Sequence, residues 1–192
     1  MKKKIKVTFN APVTLGFVLM CLLVLGISII TGGISNRMYF MTYHSSLASP
    51  LTYLRFFTHV LGHSGWAHFI GNASYLLLLG PMLEEKYGSK NILMIILIVA
   101  LTTSVVHYIL FPNMALCGAS GVVFAFILLT SFTSFRQGEI PLTFILVAII
   151  FLGQQVYDGL FVNDNISNLS HILGGVIGAV VGFAWNKNKR KR

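Results

Sequence analysis

Long apolar runs broken by short polar stretches dominate the chain. Six of them, at about residues 12–34, 66–83, 91–111, 119–135, 140–157 and 169–185, are long enough to cross a bilayer as helices, the middle ones only just. A membrane barrel is the weaker alternative, because its strands alternate over segments of about ten residues, whereas the run from Asn91 to Val106 shows no alternation. The first run follows Lys2, Lys3, Lys4 and Lys6 in the manner of a signal peptide. It exceeds the usual apolar length and no small-x-small cleavage site closes it, so it is read as a retained helix. The pattern predicts an all-α polytopic membrane protein: a six-transmembrane-helix bundle over 12–186, between basic tails at 1–11 and 187–192.

Composition narrows the class further. Of the 192 residues, 55% are hydrophobic and only 10% charged, against about 25% charged in a soluble domain, which rules out a soluble globule. The net charge of +9 would suggest nucleic acid in a soluble chain, but there is too little polar surface for a groove-tracking stripe, so no nucleic-acid role is expected. The charges instead report topology. With a cytoplasmic N-terminus and six spans, the inner segments hold Lys2, Lys3, Lys4, Lys6, Lys86, Lys90, Arg136, Lys187, Lys189, Arg190, Lys191 and Arg192, leaving only Arg37 and Arg55 outside. Twelve to two is a strong positive-inside bias. It predicts a multi-pass cell-membrane protein with both tails in the cytoplasm and outer loops near 35–65, 112–118 and 158–168. Cys21 and Cys117 make neither a disulfide framework nor a four-ligand zinc site.

Polar residues inside spans are expensive and need a partner or a purpose. His68 and Asn72 lie in the second span, Ser120 begins the fourth, and His171 lies in the sixth; all three spans run inward, so the four side chains converge just beneath the outer surface. His68 and Asn72, four apart, share a helix face. These are the parts of an acyl-transfer site: a serine hydroxyl is a weak nucleophile until a base takes its proton, and histidine suits that role near neutrality. The Asn72 amide, a His68 ring N–H and the Ser120 backbone N–H are candidate oxyanion donors. With no Asp or Glu at that level, the arrangement implied is a Ser120–His171 dyad, the imidazole held by packing against Phe124, one turn after Ser120.

Each feature also has a plainer reading. Gly118, Ser120 and Gly121 suit close helix packing, His68 and Asn72 suit interhelical hydrogen bonds, and His171 with Gly174 and Gly178 suits one polar contact on a glycine interface. His59 and His63, four apart, lack the Glu of a zincin motif, Val60 standing in its place, so no metal is expected. Asp158 and Asp164 fall in an outer loop and are read as solvated, and Cys117 as a small packed residue.

In combination the residues resemble the rhomboid family of intramembrane serine proteases. Arg55, His59, His63, His68 and Asn72 are similar to the family's first outer loop and second helix; Glu84, Gly88 and Ser89 to its ExxxGS turn; Gly118, Ala119, Ser120 and Gly121 to its GxSG motif; and His171, Gly174 and Gly178 to the HxxGxxxG of its last helix. The resemblance implies Ser120 as nucleophile, His171 as general base and then acid, and His68, Asn72 and the Ser120 N–H as the oxyanion site, with no cofactor. It implies membrane-spanning protein substrates, cut near the outer end of the spanning helix, and a movable gate at the fifth helix and the 158–168 loop. Leu54 stands where a tryptophan is common, Phe124 where a tyrosine is common and Ser170 where alanine is common. The runner-up is a non-catalytic member of the fold that binds transmembrane helices as chaperone or adaptor, against which the presence of both Ser120 and His171 counts. A small transporter would need polar residues across the whole bilayer, and the inner halves of the third to fifth spans are apolar.

Overall fold

A computed structural model describes residues 8–132, 139–161 and 168–188. Its elements are α1 (Pro12–Ile30), α2 (Ile34–Tyr39), α3 (Pro50–Thr58), a 3-10 turn at His59–Leu61, α4 (Trp66–Tyr87), α5 (Ser89–Leu110), α6 (Ser120–Thr130), α7 (Leu142–Phe161) and α8 (Asn168–Asn188). Among the described residues the only extended pairing is an isolated bridge between Thr42 and Leu116. The protein is therefore an all-helical membrane bundle. Four helices, Pro12–Ile30, Ser89–Leu110, Leu142–Phe161 and Asn168–Asn186, are long and apolar enough to cross a membrane. α4 matches them in length but carries His68, Asn72, Glu84, Glu85 and Lys86.

Each predicted run coincides with one helix, but the boundaries differ for identifiable reasons. The first helix stops at Ile30 because Gly32 and Gly33 take φ of 60° and 85°, left-handed values open to glycine; Ile34, expected inside the span, begins α2. The run 119–135 contains a helix of only 11 residues. At its end Thr130 Oγ1 and Ser131 Oγ donate to the carbonyls of Phe126 and Ile127, local bonds that compete with continuing the helix. Residues 133–135 lie outside the described residues. α7 extends beyond 157 to Phe161, so part of the expected 158–168 loop is helical. The expected loop 35–65 contains α2, α3 and the 3-10 turn.

α6 is the centre of the bundle: Val122, Ala125, Leu128 and Leu129 have no exposed surface. α8 makes the most extensive contact with it, and α4 and α5 complete the surround. α1 is pinned to α4 by Glu84, whose carboxylate accepts the N–H groups of Val13 and Thr14 and the Thr14 hydroxyl, each at 2.9 Å. Those amides belong to the first turn of α1 and have no partner within the helix, so the buried carboxylate caps the helix and matches its positive end. The cap brings the start of α1 and the end of α4 to one level. Lys86 Nζ and Asn186 Nδ2 both donate to the Phe132 carbonyl, at 3.4 and 3.3 Å, and the Tyr87 and Trp185 rings lie 4.9 Å apart. The ends of α4, α6 and α8 are thereby gathered at the same level.

Candidate active site

With their C-terminal ends gathered, α4, α6 and α8 run in one direction and bring their first turns together at the opposite end. Ser120 Oγ lies 2.7 Å from His171 Nε2, and the Phe124 ring is stacked on the imidazole, centroids 4.6 Å apart and planes within 4°. The approach of α8 to α6 that makes this possible is glycine-dependent. Gly174 and Gly178, on the same face as His171 at spacings of three and seven residues, lie against the backbone of Gly121 and Ala125, where an added Cβ would meet the carbonyl carbons at 2.8 Å.

The loop before α6 is held by the segment between α1 and α4. Thr42 and Leu116 exchange N–H···O bonds of 2.9 and 2.8 Å, and the Gly118 N–H donates to the His59 carbonyl at 2.9 Å. Gly118 has φ of 127°, and a Cβ there would lie 2.7 Å from the His68 ring, so only glycine lets this backbone rest on the imidazole. Arg55 is buried without an acidic partner among its hydrogen bonds; it donates to Tyr43 Oη and Ser45 Oγ and lies 4.3 Å over the Tyr43 ring. Leu54, the departure that bears on loop packing, is exposed, and Arg55 with Tyr43 fastens this loop.

The expected oxyanion donors line the same cavity, of about 910 Å³, as Ser120, Phe124 and His171. The Ser64 N–H points at His68 Nδ1, at 3.5 Å, with the Ser64 hydroxyl 3.1 Å away. Nδ1 is then the acceptor and Nε2 carries the hydrogen. Asn72 Nδ2 lies 3.1 Å from His63 Nε2, and His63 Nδ1 lies 3.1 Å from the Leu61 carbonyl. A carbonyl can only accept, so His63 donates from Nδ1 and accepts the Asn72 amide at Nε2, which fixes the orientation of Asn72.

Burial pushes His59 and His63 down from 6.5 to about 4, with a smaller contribution from the neighbouring His107 and His68 respectively. Both are neutral near pH 7. The unfolded chain takes up protons at these two residues first as pH falls below 6.5, so their contribution to stability is present above that value and is lost as pH falls towards 4. The thermal midpoint of the protein in detergent, followed by tryptophan fluorescence, should fall over this interval; a midpoint unchanged down to about pH 4 would contradict neutral buried imidazoles. Cys117, half-buried at the cavity, has its thiol pushed up to about 11 by desolvation, which keeps it protonated.

One residue of the site lies outside the sequence expectation. The imidazole of His171 is held by a hydrogen bond as well as by packing: Nδ1 lies 2.6 Å from Oε1 of Gln155 on α7. The signal was the pair Gln154–Gln155 following the apolar stretch of the fifth span. Asp158, expected to be solvated, accepts a bond from Gln154 Nε2 at 2.8 Å, and Asp164 lies outside the described residues.

The fold and site together define a multi-pass helical membrane protein that carries a serine–imidazole pair in a cavity. The rhomboid-domain family model matches residues 50–188, most of the chain, and the protein belongs to the rhomboid family. Rhomboid-related protein 1 of Caenorhabditis elegans is 31% identical over 138 residues, 67% of this chain and 39% of the relative. Rhomboid protease GlpG of Haemophilus influenzae is 27% identical over 157 residues, 80% of each chain. Rhomboid protease GluP of Bacillus subtilis is 30% identical over 164 residues, 81% of this chain but only 31% of the relative. The chain thus spans well under half the length of two of these relatives and most of the third.

Proposed function

We propose that the protein is an intramembrane serine endopeptidase that cuts membrane-spanning segments of other proteins near their outer ends. The observation that carries this reading is the 2.7 Å approach of Ser120 Oγ to His171 Nε2 within the cavity. In the proposed cycle His171 Nε2 takes the Ser120 proton as Oγ attacks the scissile carbonyl carbon. The oxyanion that forms is met by the Ser120 N–H, the Asn72 amide and His68 Nε2–H. His171 then passes the proton to the departing amine nitrogen, the C–N bond breaks and an acyl-serine remains. Water, deprotonated by the same imidazole, attacks the acyl carbon and releases the second product with Ser120 restored. The names of two of the matched relatives, rhomboid protease GlpG and rhomboid protease GluP, agree with a proteolytic reading.

The topology belongs to the same proposal: six spans, basic ends at 1–11 and 187–192 in the cytoplasm, and the cavity towards the outside of the cell membrane. The twelve-to-two distribution of basic residues supports it. Tyr75 of α4 and Ile150 of α7 line the cavity and are also exposed, so a substrate helix has a lateral approach between α4 and α7. A helical substrate hides its scissile carbonyl in hydrogen bonds, and local unwinding must precede attack. The test is a model single-span protein in which a Gly pair is walked along the span and the cut is located by mass spectrometry. Near the outer end the pair should raise cleavage about 30-fold, since each Gly weakens the helix by about 1 kcal/mol and the two together by about 2 kcal/mol; near the inner end it should do nothing. Equal stimulation from both ends, or cutting at the cytoplasmic end, would defeat the reading. Capture of the span without cleavage would favour a helix-binding adaptor.

A further inference from the structure

We propose that Gln155 is the positioning residue of the dyad: its amide oxygen holds the Nδ1–H of His171, fixing the tautomer in which Nε2 is free to accept the Ser120 proton. This rests on the proposed function and adds a third member, from α7, to the pair. An amide oxygen can only accept, so the 2.6 Å contact requires the hydrogen on Nδ1, and the 2.7 Å contact on the far side of the ring is then a serine hydroxyl donating to Nε2. These two bonds hold the ring at its two nitrogens, and Phe124 lies flat against its face. Together they oppose rotation of the ring out of this position.

The placement of Gln155 is costly in any other account. It is the one buried residue of α7 among those described, on a helix whose Ile149, Ile150, Val156 and Leu160 are all exposed. Desolvating an amide on such a helix is unfavourable without a partner, and the partner found is the proposed base. The α7–α8 seat sets its reach. Leu152, three residues before Gln155, packs over Gly175, four residues after His171, where an added Cβ would lie 2.6 Å from Leu152 Cδ2. A side chain one methylene shorter would not span the remaining gap.

The experiment uses the full-length protein in detergent with three substitutions: Gln155→Leu removes the acceptor, Gln155→Asn keeps the amide but shortens it, and Gln155→Glu keeps an acceptor oxygen at the same reach. Cleavage of the model span is measured alongside Ser120 labelling by a serine-directed fluorophosphonate and the ¹⁵N spectrum of labelled histidine, with His171→Gln identifying the resonance. Gln155→Leu and Gln155→Asn should each lower kcat about 10- to 100-fold with KM changed less than about threefold, slow the labelling in parallel, and lose the Nδ1-protonated signature. Gln155→Glu should recover most of the rate. Wild-type kcat in Gln155→Leu, equal loss in all three variants, or an unchanged His171 spectrum would overturn the proposal. Should Gln155→Leu not fold, Gln155→Asn carries the same test with the polarity of α7 preserved. Wild-type labelling that is lost in Ser120→Ala but unaffected by the Gln155 changes would sink this inference alone. A wild-type protein that neither labels nor cleaves would take the proposed function with it.

Discussion

Ser120→Ala is expected to reduce cleavage of a single-span substrate by about 10⁴-fold or more, His171→Ala to do the same, and the double variant to be no worse than either. The reason is geometric. At 2.7 Å the hydroxyl is within hydrogen-bond distance of the imidazole that is to take its proton, and neither has a function in the proposed cycle without the other, so the losses overlap instead of adding. Additive losses would mean two independent contributions and would remove the dyad. Single substitutions at Asn72 or His68 should cost less, about 10²- to 10³-fold, because each removes one of several oxyanion donors. Of these two, Asn72 is the more tightly oriented, through His63, so Asn72→Ala should lower kcat with little change in KM. Full activity in the Asn72, His68 double variant would take both out of the mechanism.

Most of this site was legible because its residues are expensive where they stand. A histidine and an asparagine four apart in one span, a serine opening another and a histidine opening a third are polar intrusions in apolar runs, and the direction of the three helices alone gathers them at one level. Gln155 was hidden by the opposite circumstance. It sits two residues before Tyr157 and three before Asp158, at the edge of its run, where polar residues are expected simply because the lipid ends. Only the packing of α7 against α8 turns it inward. The length of α6 was obscured in a related way, since Thr130 and Ser131 are small enough to pass for span residues while their hydroxyls bond back to carbonyls four residues earlier. The short helices α2 and α3 lie in a loop too irregular for hydrophobic periodicity to reveal them, although Pro50 marks the start of one.

A second large effect is expected from a single methyl group far from the reacting atoms. In an open helix Gly→Ala is favourable by about 1 kcal/mol, so propensity alone predicts that Gly178→Ala stabilises the protein. The packing predicts the reverse. The new Cβ would meet the carbonyl carbon and Cα of Ala125, both at 2.8 Å, and because these are backbone atoms of the central helix, no side-chain rotation can relieve the overlap. Overpacking of this kind costs about 1–3 kcal/mol, and the thermal midpoint should fall by several degrees. Activity should fall further than stability. Gly178 lies two turns from His171 on the same face of α8, so a displacement at Ala125 widens the Ser120–His171 gap directly, and misplacement of about 1 Å costs about 10²-fold in rate. Gly26→Ala on α1, where nothing lies within 4 Å of the added carbon, is the control and should leave both quantities unchanged or slightly raise the midpoint. If Gly178→Ala proves as stable and as active as the control, α8 does not approach α6 closely enough to hold the dyad together, and the basis for placing His171 against Ser120 is lost.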